Sequence, residues 1–147
     1  MLLDLHVALS SAPENVQIAA RLILGTGQRP TAAITMRRDQ IEGEWMKVRD
    51  EKGDQSLEVY CPSSLRTFTA DLPKRGDHFL AKNLREPLGY QAVERAFRGW
   101  RKDLGDRAAK YTLHGLRKLA IVELAEAGAS DAEIQAVTGQ SAEMVAY

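Results

Sequence analysis

The run from Tyr111 to Gly128 restricts the fold more than any other stretch. Leu116, Leu119, Ala120, Leu124 and Ala127 recur there at helical spacing, while Lys118, Glu123 and Glu126 take the remaining positions. A helix with such a stripe has to bury it, so the rest of the chain must supply a packed surround. At its head His114 and Arg117 stand three residues apart and share one face of the first turn. Gly128 closes the run, because glycine accepts the left-handed conformation of a helix C-terminus. Alone, the pair reads two ways: a capping or core histidine beside a surface charge, or a polar helix head aimed at a ligand.

The length of 147 residues fits one domain over 1–147 with a single sizeable core. No apolar run is long enough to span a bilayer, and Met-Leu-Leu-Asp-Leu-His-Val lacks the basic flank of a signal peptide, so no membrane association is expected. A single cysteine, Cys61, excludes an internal disulfide and suits a reducing cytoplasm. Histidines at 6, 78 and 114 with that cysteine have no metal-ligand spacing, so neither a metal nor another cofactor is expected. Formal net charge is zero, yet basic residues fill the middle from Arg37 to Lys110, and acidic ones weight the end from Glu123 to Glu143. Such a distribution gives a neutral molecule a basic face for a phosphate backbone, although each charge taken singly reads equally as a solvated helix residue.

In chain order, residues 2–9 read as a short helix, and Ser10-Ser11-Ala12-Pro13 as a cap with proline in the next helix's first turn. Val16, Ala19, Ala20, Ile23 and Leu24 continue that second helix to a stop at Gly25. Pro30 opens another helix, placing Arg29 beside an N-terminus that favours anions; it is a phosphate contact or an exposed loop arginine. The period then changes to two. Met46 and Val48 alternate with Trp45, Lys47 and Arg49, and Leu57, Val59 and Cys61 with Ser56, Glu58 and Tyr60, which makes a hairpin around Asp50–Asp54. Lys52 sits near its tip, either swinging toward a ligand or simply solvated. Pro62 opens a short helix, and His78-Phe79-Leu80 is expected to add a third strand.

Val93, Ala96, Phe97, Trp100 and Leu104 then form an apolar helical stripe, with Trp100 in the core; Arg95, Arg98, Arg101 and Lys102 occupy the polar side, facing outward to duplex phosphates. After the central helix Ser130-Asp-Ala-Glu133 is a capping box, Thr138-Gly139 ends its helix, and Ser141 caps a last short one. The fold class expected is α+β, mainly α, with a small antiparallel hairpin or three-stranded sheet.

Taken together, Gly27-Gln28-Arg29, Lys52, His114-Gly115-Leu116-Arg117, Thr138-Gly139-Gln140 and Tyr147 resemble, in that order, the catalytic domain of the tyrosine recombinases, the phage integrase family, from about Leu22 onward. The resemblance implies a tyrosine that attacks a DNA phosphate to give a 3′-phosphotyrosyl link and a free 5′-hydroxyl, with neither ATP nor metal. Arg29 and Arg117 would clamp the non-bridging oxygens, and His114 would assist proton loss or hold the phosphate. Lys52 would protonate the leaving oxygen, a role whose loss typically costs about 10²–10⁴-fold in rate. Tyr147 would be the nucleophile.

Three departures accompany the match. Ala32 stands where the family often carries an acidic residue, and Gln140 replaces a histidine or tryptophan, keeping a hydrogen-bond donor but not a base. Tyr147 follows Gln140 more closely than is usual, so either the loop is short or the nucleophile lies beyond it. The family's amino-terminal clamping domain is not expected in residues 1–147. Double-stranded DNA is the partner implied, with the chain a monomer in solution and part of a tetramer on DNA when full length. The alternative is a DNA-binding module derived from a recombinase that no longer cleaves.

Overall fold

In the computed structural model the described residues are 2–49, 56–108 and 111–126. Six α-helices lie among them: α1 (Leu2–Leu9), α2 (Glu14–Thr26), α3 (Pro30–Ile34), α4 (Ser63–Ala70), α5 (Tyr90–Leu104) and α6 (Leu113–Glu126). One antiparallel sheet has the order β1 (Ile41–Glu42), β2 (Trp45–Arg49), β3 (Ser56–Tyr60). The class is the mainly helical α+β expected.

The hub is α2. Val16, Ile18, Ala19, Ala20, Leu22 and Ile23 are all buried, on more than one side of the helix, because α1, α3, α4, α5 and α6 pack around it. Alanines at 19 and 20 let neighbours approach closely, and Gly25 continues the same device: a Cβ there would press on the Leu65 side chain of α4. That contact corrects the expected stop at Gly25. The helix runs one residue further, and Gly27, at φ 66°, supplies the left-handed cap with its N–H on the Ile23 carbonyl. The expected serine cap before Pro13 is also corrected. Ser10 and Ser11 turn their hydroxyls back onto the Val7 and Ala8 carbonyls, closing α1, and no side chain caps α2.

The sheet keeps the predicted alternation. Met46, Val48 and Val59 are buried on the inner face, while Trp45 and Tyr60, paired across the strands, stay half exposed with their rings edge to face. The third strand is β1 rather than His78–Leu80. Gly43, at φ 60°, makes a two-residue turn from Glu42 into Trp45, the tight reversal that antiparallel hairpins favour. His78 forms only an isolated bridge with Arg37. Its segment is held irregular by turns: the Asn83 side-chain oxygen accepts from the Arg85 and Glu86 N–H groups, and a Cβ at Gly76 would strike the Asn83 carbonyl.

The stripe of α5 behaves as read. Val93, Phe97 and Trp100 are buried, with the Phe97 and Trp100 rings 5.5 Å apart. The expected capping box at Ser130–Glu133 and the helices near Thr138 and Ser141 lie outside the described residues.

Candidate active site

The site begins at the end of α2. Thr26, the last helical residue, donates its hydroxyl to the Leu22 carbonyl at 2.6 Å and accepts the Gln28 N–H at 3.2 Å. Gly27 follows in its left-handed conformation, and Arg29 is the N-cap residue of α3, with Pro30 in the first helical position as expected. Arg29 is exposed and lines a cleft of about 400 Å³ together with Gln28, Thr31, Gln40 and Val48. Val48 belongs to β2, the strand that runs toward the hairpin tip, so α3 and the sheet form the two walls. Ala32 lines the same cleft. The missing carboxylate is therefore missing from the wall that carries Arg29.

Arg117 reaches this turn from the far end of the chain. It is only 7% exposed, and its Nε donates to the Gly27 carbonyl at 2.9 Å. A buried guanidinium needs a partner to offset lost hydration, and a backbone carbonyl two residues before Arg29 provides one. Two arginines far apart in sequence are thereby mounted on one short turn. The bond settles the choice left open at Arg117 against a surface charge.

The head of α6 is set by Thr112. Its hydroxyl accepts the Gly115 N–H at 2.8 Å, the usual N-terminal cap for a helix whose first amides have no partner of their own. His114, in the first turn, is exposed, one turn before the buried Arg117. Thr112 and Thr26 were not singled out from sequence. A threonine just before an apolar helical run is a cap signal for the first; the Thr-Gly pair at a helix end is only a weak one for the second.

The basic face of α5 needs correction. Arg101 does not face outward: it is half-buried, and its Nη1 donates to the Tyr111 carbonyl at 2.7 Å, tying α5 to the entry of α6. Arg98 is exposed but engaged by Glu94 at 2.6 Å, a hydrogen bond that pushes the arginine's pKa further up. Arg95 and Lys102 are exposed as expected. Elsewhere Arg37 is likewise raised by its hydrogen bond to Asp39, and burial raises the Cys61 thiol. Lys52, Gln140 and Tyr147 lie outside the described residues. Among the described residues no cluster of histidine, cysteine or carboxylate side chains could hold a metal ion, and no helix is long and apolar enough to cross a membrane.

The fold is thus a helical domain with a three-stranded sheet beside it, in which one arginine on a turn and a second bonded to that turn come from distant parts of the chain. The chain belongs to the phage integrase family, whose model matches residues 3–146. The match begins well before Leu22, so α1 is part of the family domain. No curated protein matches the sequence. Among solved structures, the lambda integrase catalytic core superimposes with a TM-score of 0.73 at 22% identity, covering 94% of this chain and 91% of that one. A lambda integrase dimer bound to a COC′ core site gives 0.73 at 24% identity over 98% of this chain, which spans only 44% of the integrase. The Tn1549 transposon integrase in complex with circular intermediate DNA gives 0.78 at 14% identity, over 99% and 60%. At these identities the likeness is one of fold.

Proposed function

We propose that this chain is the catalytic domain of a site-specific DNA recombinase of the integrase type, acting on double-stranded DNA by tyrosine-mediated cleavage and rejoining. The observation that carries the proposal is the Arg117 Nε bond to the Gly27 carbonyl, which brings the second arginine to the turn bearing Arg29. A pentacoordinate phosphate gathers negative charge on its non-bridging oxygens. Guanidinium groups fixed before the reaction stabilise that charge without the reorganisation that water would need.

In this reading Arg29 and Arg117 hold the phosphate, and His114, exposed at the head of α6, accepts a hydrogen bond or proton from the reacting tyrosine. Tyr147 is assigned as nucleophile, Lys52 as the acid that protonates the departing 5′-oxygen, and Gln140 as a donor to the phosphate. A phenol with a pKa of about 10 attacks slowly unless a neighbour takes its proton, which is the reason for a histidine in the set. The 5′-hydroxyl released can attack the phosphotyrosyl link in reverse, so the phosphodiester bond energy is conserved. Arg95 and Lys102 are assigned to flanking phosphates. The protein is proposed to be a monomer in solution and to act as a tetramer on DNA.

A second reading, a DNA-binding module that no longer cleaves, is favoured by one observation: Ala32 leaves the Arg29 wall of the cleft without a carboxylate. A nicked suicide duplex separates the two. The natural full-length protein should form a covalent adduct that Tyr147→Phe abolishes. Salt-sensitive duplex binding with no adduct selects the module, and the absence of both rejects the two readings together.

A further inference from the structure

The clamp depends on a turn of three residues between two helices, and a connection of that kind is ordinarily among the more variable parts of a fold. Here it is fixed from within. Thr26 is fully buried, and its hydroxyl makes two bonds with different consequences. The bond to the Leu22 carbonyl at 2.6 Å is the back-bond any helical threonine can form. The bond from the Gln28 N–H at 3.2 Å reaches past the helix end and fixes the direction in which the chain leaves it. Gly27, held between them, sends its own N–H to Ile23 at 2.8 Å and turns its carbonyl to the Arg117 Nε. Arg29 then departs into the cleft.

From this geometry we infer that Thr26 is a positioning residue for the phosphate clamp. Its hydroxyl selects the one path of residues 26–29 in which the Gly27 carbonyl seats Arg117 while Arg29 faces the cleft. Thr26 itself touches no DNA. What matters is a single oxygen that donates and accepts at once, which serine also offers and valine, of nearly equal shape, does not. The inference rests on the recombinase reading, and its test separates the two.

Thr26→Val and Thr26→Ser are made in the natural full-length protein, and adduct formation on a nicked suicide duplex is followed in a single turnover at saturating DNA. Valine is expected to lower the rate constant by about 10–100-fold, the scale of loss that a displacement near 1 Å produces in a reacting geometry. Duplex affinity should stay within about twofold and serine within about threefold of the parent rate, since binding and the hydroxyl are respectively untouched and retained. A valine variant with the parental rate constant overturns the inference. So does one whose adduct yield falls at an unchanged rate constant, because that is a misfolded fraction rather than a displaced clamp. Serine failing as badly as valine overturns it as well. A parent that forms no adduct overturns the recombinase reading, and this inference falls with it.

Discussion

Replacing Arg117 by methionine separates what the residue does for the fold from what it does for the reaction. The side chain is 7% exposed and donates to the Gly27 carbonyl. Methionine keeps an unbranched apolar stem, so most contacts of the arginine's methylenes survive. The variant loses a hydrogen bond from a charged group, worth about 1.5–3 kcal/mol. It also no longer buries a guanidinium, which returns a desolvation cost of roughly several kcal/mol. The two nearly cancel, so the melting temperature should move by no more than about 8 °C in either direction, at about 2–4 °C per kcal/mol for a chain of this size.

Under the proposed clamp role, catalysis has no such compensation. Losing one preorganised donor to a developing oxyanion costs about 10²–10³-fold in rate. The assays are a thermal melt of the free protein and single-turnover adduct formation on a nicked duplex. An adduct rate within about tenfold of the parent would refute the clamp role, and a fall in melting temperature beyond about 12 °C would show that Arg117 is chiefly structural.

Further outcomes follow from other parts of the molecule. Leu22→Ala, at a fully buried position on the hub helix, should cost about 2–5 kcal/mol and shift the urea midpoint without changing the slope. Arg95→Gln should reduce the salt dependence of duplex binding by about one phosphate's worth, a change of roughly 0.9 in the log–log slope. Arg98→Gln should change it by less than half as much, because Glu94 already engages that guanidinium. Burial raises the Cys61 thiol above its ordinary value, so the unfolded chain ionises first as the pH rises. Its contribution to stability is therefore complete below the unfolded thiol pKa of about 8.5 and is lost as the pH climbs through the raised folded value. Parent and Cys61→Ala urea midpoints measured from pH 7 to 10 should diverge from the alkaline end, and parallel curves would contradict this.

Periodicity made α5 and the two long strands legible, because Val93, Phe97 and Trp100, and Met46, Val48 and Val59, are apolar for one reason only: they face the core. It failed where one residue type serves two ends. Gly25 looks like a stop but is a packing notch for Leu65, and the true cap, Gly27, lies just beyond it. His78–Leu80 is apolar enough for a strand, yet its backbone bonds go to the Met36 region and to tight turns, a long-range choice that local pattern does not encode. The resemblance names Arg29, His114 and Arg117 as a set, but nothing in it gives the mounting of Arg117. Gly27's carbonyl is a backbone atom, and nothing in the sequence marks it as the seat of a side chain ninety positions away. Arg101 was misplaced for the same reason, its partner being the Tyr111 carbonyl.

That mounting makes the two arginines unequal. Arg117 uses Nε, at the root of its guanidinium, for the Gly27 carbonyl, which directs the terminal nitrogens away from that bond. On the proposed reading one planar group carries two tasks on different nitrogens. A lysine at 117 has a single nitrogen, and in a site this buried its ammonium can satisfy the carbonyl or face the phosphate, not both. Arg29 differs in being exposed on the turn rather than buried, and a lysine there still presents a charge to the cleft. Arg117→Lys should therefore lose nearly as much adduct-forming rate as Arg117→Met, about 10²-fold or more. Arg29→Lys should retain substantially more, within about tenfold of the parent, because it forfeits a bidentate grip but not the charge. Single-turnover rates for the three variants decide it, and equal losses at 29 and 117 would show that the Gly27 bond plays no part in aiming the clamp.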